Sequence, residues 1–184
     1  MPRKIRLNDW RYKLAQWVLS LLYGRKWHYI APWRHSSIGV SAIFHNDGKI
    51  LLARRRGNIE KVGKLSCIGG HVNLEDNESL VDCLIREVKE ETALDITGEH
   101  IHIDNLISYG LIHDFDYFEM ENGVNITLRF VIPLTQSQLD NIQDTEEAHE
   151  FKLYSQKEVE DIKDQLATPQ FYNTLQKAFT KIQK

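Results

Sequence analysis

The stretch GGHVNLEDNESLVDCLIREVKEETAL, residues 69–94, constrains this chain more than any other. It opens on a glycine pair, passes through an acidic loop and becomes a helical pattern carrying Glu87, Glu90 and Glu91. Positions three and four apart on an α-helix share a face. Three carboxylates on one face repel one another unless a positive charge lies among them. A hard divalent cation fits that role, because Mg²⁺ takes oxygen ligands and keeps waters or substrate phosphates as its other partners. A solvated acidic face is the plainer reading of the same run, and the surrounding residues weigh between the two. Ser79, with Asp82 three positions on, predicts a capping box and a helix that starts just after Glu78 and ends near Thr92. Leu80, Val81, Leu84, Ile85 and Val88 form its expected buried stripe.

Upstream, residues 37–44 and 49–54 are apolar and strand-like, joined by His45-Asn46-Asp47-Gly48. Asn, Asp and Gly tolerate the positive φ of tight hairpin turns, so these two runs read as a hairpin. The basic triplet Arg54-Arg55-Arg56 closes the second run. Surface charge explains it, and so does phosphate contact through Arg54 and Arg56, since guanidinium forks match phosphate oxygens. Residues 65–72 return as one strand towards the acidic helix. Further on, 102–112, 124–134 and 150–154 read as strands, Ser155-x-x-Glu158 as a second capping box, and Thr168-Pro169 as the cap and first turn of a last helix. That helix buries Phe171, Leu175, Phe179 and Ile182. Between the strands, Phe115, Tyr117 and Phe118 are either core residues or a stacking surface for a base. Strands and helices interleave without the regular alternation of a doubly wound sheet, which points to an α+β fold or an α/β/α sandwich with a mixed sheet.

The charged positions extend the argument. Glu78 is followed by seven residues and then by Arg86-Glu87-Val88-Lys89-Glu90-Glu91. This order resembles the signature of the Nudix hydrolases: a glycine, a glutamate, seven residues, then Arg-Glu-aliphatic-x-Glu-Glu-x-Gly-aliphatic. Two departures stand out. Seven residues separate Gly70 from Glu78 where the family has five, and Ala93 stands where the family has glycine. A flanking glycine with αL geometry is the usual helix ending, so Ala93 implies either a cap without positive φ or a strain of about 1 kcal/mol.

The resemblance covers roughly residues 36–160 and implies a Nudix-type α/β/α sandwich with a mixed β-sheet. It also implies a divalent-metal-dependent hydrolase, with Mg²⁺ or Mn²⁺, that cleaves the pyrophosphate linkage of a nucleoside diphosphate joined to another moiety. Glu87, Glu90, Glu91 and the carbonyl of Gly70 would hold the cation. Arg86 and Glu78 would tie the loop to the helix and orient the carboxylates. The base for the attacking water is left between Glu87 and a downstream glutamate among Glu146, Glu147 and Glu150, with His71 and His113 as the other titratable groups. The altered box also fits a weakly catalytic nucleotide-sensing module on the same fold.

Charge is divided along the chain. The formal net of -3 hides eight Lys/Arg against one acid in residues 1–35 and 15 basic against 25 acidic residues thereafter. An acidic body suits cation recruitment and argues against a general nucleic-acid binder. Residues 8–23 read as a basic amphipathic helix with Trp10, Leu14, Trp17 and Leu21 on one face. It either packs on the domain, lies on a membrane surface or joins two copies of the chain. Its apolar run is too short to span a bilayer and no signal-peptide cleavage site follows. Cys67 and Cys83 have neither zinc nor disulfide spacing and read as small buried thiols. A cytoplasmic protein is expected, with residues 1–35 as an N-terminal helix and connector and 36–184 as the catalytic domain with its C-terminal helix.

Overall fold

The structure, a computed structural model, describes residues 17–18, 36–57, 61–73, 77–112 and 124–183. Residues 38–110 and 127–183 belong to one compact unit, which holds the candidate site described below. A second unit takes in residues 1–37 and 111–126. There Trp17 and Val18 are helical and exposed, while the rest of the expected 8–23 helix, and His113, Phe115, Tyr117 and Phe118, lie outside the described residues.

Seven strands form one mixed sheet: β1 (Ser36–Asn46), β2 (Lys49–Arg55), β3 (Leu65–Ser66), β4 (Ile68–His71), β5 (Leu106–Ile112), β6 (Val124–Pro133) and β7 (Ala148–Tyr154). Their order is β3-β2-β1-β6-β5, with β4 also pairing β1 and β7 also pairing β2. The β1–β2 hairpin closes with His45 opposite Ile50 and Asn46 opposite Lys49. Asp47 and Gly48 take φ of 45° and 71°, the twist a two-residue turn needs to match its strands. Residues 65–72, expected as one strand, divide at Cys67. β3 pairs β2 through Ser66 and Ala53, then β4 crosses to β1 through Ile68–His71.

Alternation along the central strands separates two apolar cores. Val40, Ala42 and Phe44 of β1, with Leu51, Ala53, Phe130 and Ile132, face one side. There Cys83, Leu84 and Val88 of helix α1 (Leu80–Thr92) pack on them. Ile43, Ile50, Leu52 and Val131 face the other, where they meet Phe171, Leu175, Ala178 and Phe179 of the last helix. A sheet with apolar residues on both faces needs a cover on each, so the α+β sandwich follows from the pattern.

Local signals set the helix ends. Ser79 caps α1 by accepting from the Asp82 amide at 3.1 Å, while its hydroxyl donates to the Asp82 carboxylate. A short α2 (Gln136–Asp140) is capped by Thr135 with Gln138 in a T-x-x-Q capping box. α3 (Gln156–Asp161) carries the expected Ser155–Glu158 box, and α4 (Pro169–Ile182) begins at Thr168 with proline in its first turn. No helix among the described residues is long and apolar enough to cross a membrane.

Candidate active site

α1 buries Leu84 and Val88 of its expected apolar stripe, but its first turn faces outward and two of its carboxylates face inward. Leu80 and Val81 are 39% and 37% exposed, whereas Glu87 and Glu91 are each only 8% exposed. The reason lies opposite them. β4 supplies Gly69 and Gly70, whose lack of side chains lets the helix carboxylates close onto the strand. A Cβ built on Gly70 would overlap the Glu87 carboxylate, and one on Gly69 would overlap the β1 backbone at Val40 and Ser41. Gly69 also holds φ at 147°, a value that glycine adopts readily and L side chains rarely do.

Arg86 is the positive charge among the acids. Its Nε donates to one Glu78 oxygen at 2.6 Å and Nη2 to the other at 3.0 Å. Nη1 reaches Glu87 at 2.6 Å and Glu90 at 3.0 Å, and Nη2 also donates to the His71 carbonyl at 3.1 Å. Glu78 in turn accepts from the Asn73 amide at 2.8 Å, so it pins the lengthened loop to the helix. The Arg86 contacts hold its carboxyl down at about 2. Their counterpart raises the Arg86 pKa.

The two buried acids shift the other way. Burial pushes Glu87 up despite its Arg86 contact, because removing a carboxylate from water costs more than one shared guanidinium returns. Glu91 is pushed up to about 8, first by burial and then by the charge of Glu87; the Gly69 amide and Arg55 only partly offset this. Glu90 is 53% exposed and turned onto Arg86. Among the described residues, therefore, no three acidic, histidine or cysteine side chains converge as a ready cation cage.

The other expected residues are spread around this centre. Arg54 is committed to Glu150 at 2.8 Å and to the Gly63 carbonyl at 2.6 Å. A bulge in the β2–β7 ladder, with Glu150 at φ 52°, brings that glutamate to it. Arg56 is exposed and bonds through its amide to the Glu147 carbonyl. His71 is partly buried, which lowers its pKa.

Two charged residues outside the box act on the buried pair: Arg55 draws Glu91 down, and Glu147 raises both Glu87 and Glu91. Glu147 arrives there because Thr145 and Gln143 bond the Glu91 and Thr92 carbonyls at the end of α1. α1 itself ends on Ala93 in the left-handed region, φ 62°, with its amide bonded to the Lys89 carbonyl at 3.0 Å. The strained alternative is the one adopted.

Similarity to known proteins agrees with this architecture. The pattern described as the NUDIX domain matches residues 33–175. The chain is 41% identical over 63 residues to the CTP pyrophosphohydrolase of Escherichia coli, spanning 34% of this chain and 45% of that protein. It is 40% identical over 60 residues to the ADP-ribose pyrophosphatase of Methanocaldococcus jannaschii, spanning 33% and 34%. The chain thus matches less than half the length of either relative. Among solved structures, a NUDIX hydrolase from Nitrosomonas europaea aligns with TM-score 0.61 at 18% identity, covering 79% of this chain and 90% of that one. The MutT protein of Methanosarcina mazei aligns with TM-score 0.56 at 24% identity, covering 81% and 96%. With the domain pattern spanning most of its length, and a fold shared with these structures, the chain belongs to the Nudix family.

Proposed function

We propose that this protein hydrolyses the pyrophosphate linkage of a nucleoside diphosphate joined to another moiety, with Mg²⁺ or Mn²⁺. One observation carries the reading: Glu87 and Glu91 are buried side by side against a bare glycine strand, and both are held above the ordinary carboxylate range. A buried acid pair without full neutralisation is costly, and a hard cation removes the cost. The donor chemistry suits one. Glu87, Glu91, the Gly70 carbonyl and Glu90, once Glu90 leaves Arg86, would offer the all-oxygen set that such ions take.

When bound, the cation supplies charge neutralisation at the diphosphate and eases deprotonation of the attacking water. The chain's own residues do the rest. Arg86 would keep its two bonds to Glu78, and so hold α1 against the loop, while Glu90 leaves it for the buried Glu87 and Glu91. The acceptor for the water proton would be Glu87 itself or a downstream glutamate such as Glu147, whose charge raises both buried acids. Arg55 and Arg56 lie at the same end of β2 and suit the phosphate oxygens, with Arg54 free to join them only by leaving Glu150.

The two relatives are named for CTP and ADP-ribose, each a nucleoside carrying a pyrophosphate linkage, which supports that substrate class. The test is phosphate or nucleotide release across nucleoside triphosphates, nucleotide sugars and dinucleotides, with each metal and with chelator. Metal-dependent turnover lost in Glu91→Gln supports the reading. Tight nucleotide binding with no turnover of any substrate replaces it with the sensing module.

A further inference from the structure

The last four carbonyls of an α-helix have no partner within it. Two of those at the end of α1 are met from outside. The Gln143 amide bonds the Thr92 carbonyl at 3.1 Å, and the Thr145 hydroxyl donates to the Glu91 carbonyl at 3.3 Å. A threonine hydroxyl has one proton to give and two lone pairs to receive with. Thr145 uses all of them, since its oxygen also accepts from the Glu147 amide at 3.3 Å and the Ala148 amide at 3.2 Å. The Thr145 amide closes the turn on the Ala148 carbonyl at 2.8 Å. A single oxygen therefore joins the residue that carries the buried Glu91 carboxylate to the residue that carries the Glu147 carboxylate.

The turn is seated from the sheet side as well. The Arg56 amide, just past the end of β2, bonds the Glu147 carbonyl at 2.9 Å. Beside it Gly57 holds φ at 85°, and a Cβ there would collide with the Glu146 carbonyl. The Glu147 backbone is thus fixed at its amide and at its carbonyl, while its side chain stays exposed. Capping α1 accounts for the bond to the Glu91 carbonyl. The two amides on the same oxygen do something more: they orient the residue whose charge acts on both Glu87 and Glu91.

We propose that Thr145 is a positioning residue, whose hydroxyl sets where Glu147 stands relative to the buried pair Glu87 and Glu91. A proton acceptor works only within hydrogen-bond reach of its target or one water away, and a misplacement of about 1 Å can cost roughly a hundredfold in rate. Valine at this position keeps the shape of the side chain and removes the hydroxyl with all three of its bonds; serine keeps them. The role rests on the hydrolase reading for the reaction that Glu147 serves, whereas the seating of Glu147 stands without it.

The test pairs amide exchange with steady-state kinetics on the full chain. In metal-free protein, hydrogen exchange at the Glu147 and Ala148 amides should speed up at least tenfold in Thr145→Val and less than twofold in Thr145→Ser. With Mn²⁺ and the substrate that wild type turns over fastest, Thr145→Val should lose at least tenfold in kcat with KM within twofold, and Thr145→Ser should recover most of it. Thr168→Val removes a capping hydroxyl from α4, on the other face of the sheet, and should lower the melting temperature while leaving kcat within twofold. In a Glu147→Gln background, Thr145→Val should cost less than a further twofold, because both changes act on the same group. Unchanged exchange in Thr145→Val, an equal loss in Thr145→Ser, full kcat in Glu147→Gln, or a full further loss on top of Glu147→Gln would overturn the assignment. Should Thr145→Val fail to fold, Thr145→Ala removes the same hydroxyl and carries the comparison. The expected exchange pattern without turnover of any substrate by wild type would remove the hydrolase and leave the seating of Glu147 standing; turnover undiminished in Thr145→Val would do the reverse.

Discussion

Arg86 and Glu78, eight residues apart, face each other through two parallel hydrogen bonds of 2.6 and 3.0 Å, and this fork ties the acidic loop to the helix. The pair sits at the surface on the Arg86 side and is nearly closed on the Glu78 side, with exposures of 35% and 11%. Glu78→Gln is expected to cost about 2 kcal/mol at neutral pH, the range for a lost charge-assisted bond. The folded-state pKa of Glu78 is depressed from 4.5 to about 2, so its contribution is present above the unfolded value and is lost as pH falls through that window. Urea melts from pH 7 down to pH 2 should show wild type and Glu78→Gln converging on acidification. Parallel curves would contradict the pairing.

Glu91 carries the opposite sign. Its folded-state pKa, pushed up to about 8, exceeds the unfolded value of 4.5, so the folded chain holds its proton longer. Stability of the metal-free protein is then expected to fall as pH rises from about 4.5 to about 8 and to level off above that. Glu91→Gln, measured in chelator, should flatten the decline and be the more stable protein at pH 8. Excess Mg²⁺ or Mn²⁺ should restore wild type and leave the variant unmoved, by mass action on the folded state alone.

Ala93 pays for a left-handed backbone that glycine adopts freely. Ala93→Gly is expected to raise stability by up to about 1 kcal/mol, the gain being reduced by the greater freedom of glycine in the unfolded chain. Thermal melts decide it. A loss of stability would mean that the Ala93 methyl makes contacts worth more than the strain.

Gly70 has no room for a side chain beside Glu87. Gly70→Ala should displace that carboxylate and cut turnover by at least tenfold, while the melting temperature moves by only a few degrees. Unchanged turnover would place the reaction elsewhere.

The helices were legible because their ends are local. Ser79, Ser155 and Thr168 each act within three residues, and all three cap the helices the sequence predicts. The hairpin was legible for the same reason, through Asp47 and Gly48. What residue type could not reveal was which face of α1 is covered. Counting apolar positions favours Leu80 and Val81, but the glycine strand opposite accepts Glu87 and Glu91 instead. The neighbours Arg55 and Glu147 come from the end of β2 and the turn before β7, and Glu147 is brought to the acids by the docking of Thr145 on α1. No spacing rule carries that information. The division of residues 65–72 into two strands has the same origin, since the change of partner at Cys67 depends on where β1 and β2 diverge.

The most direct measurement is Mn²⁺ binding, followed by electron paramagnetic resonance alongside hydrolysis of CTP and ADP-ribose, in wild type and in Glu90→Gln/Glu91→Gln. The expected result is a bound Mn²⁺ signal and turnover in the wild type, both lost in the double variant while its fold persists. Full turnover and undiminished Mn²⁺ binding in the double variant would contradict the claim that these helix carboxylates hold the cation at the diphosphate.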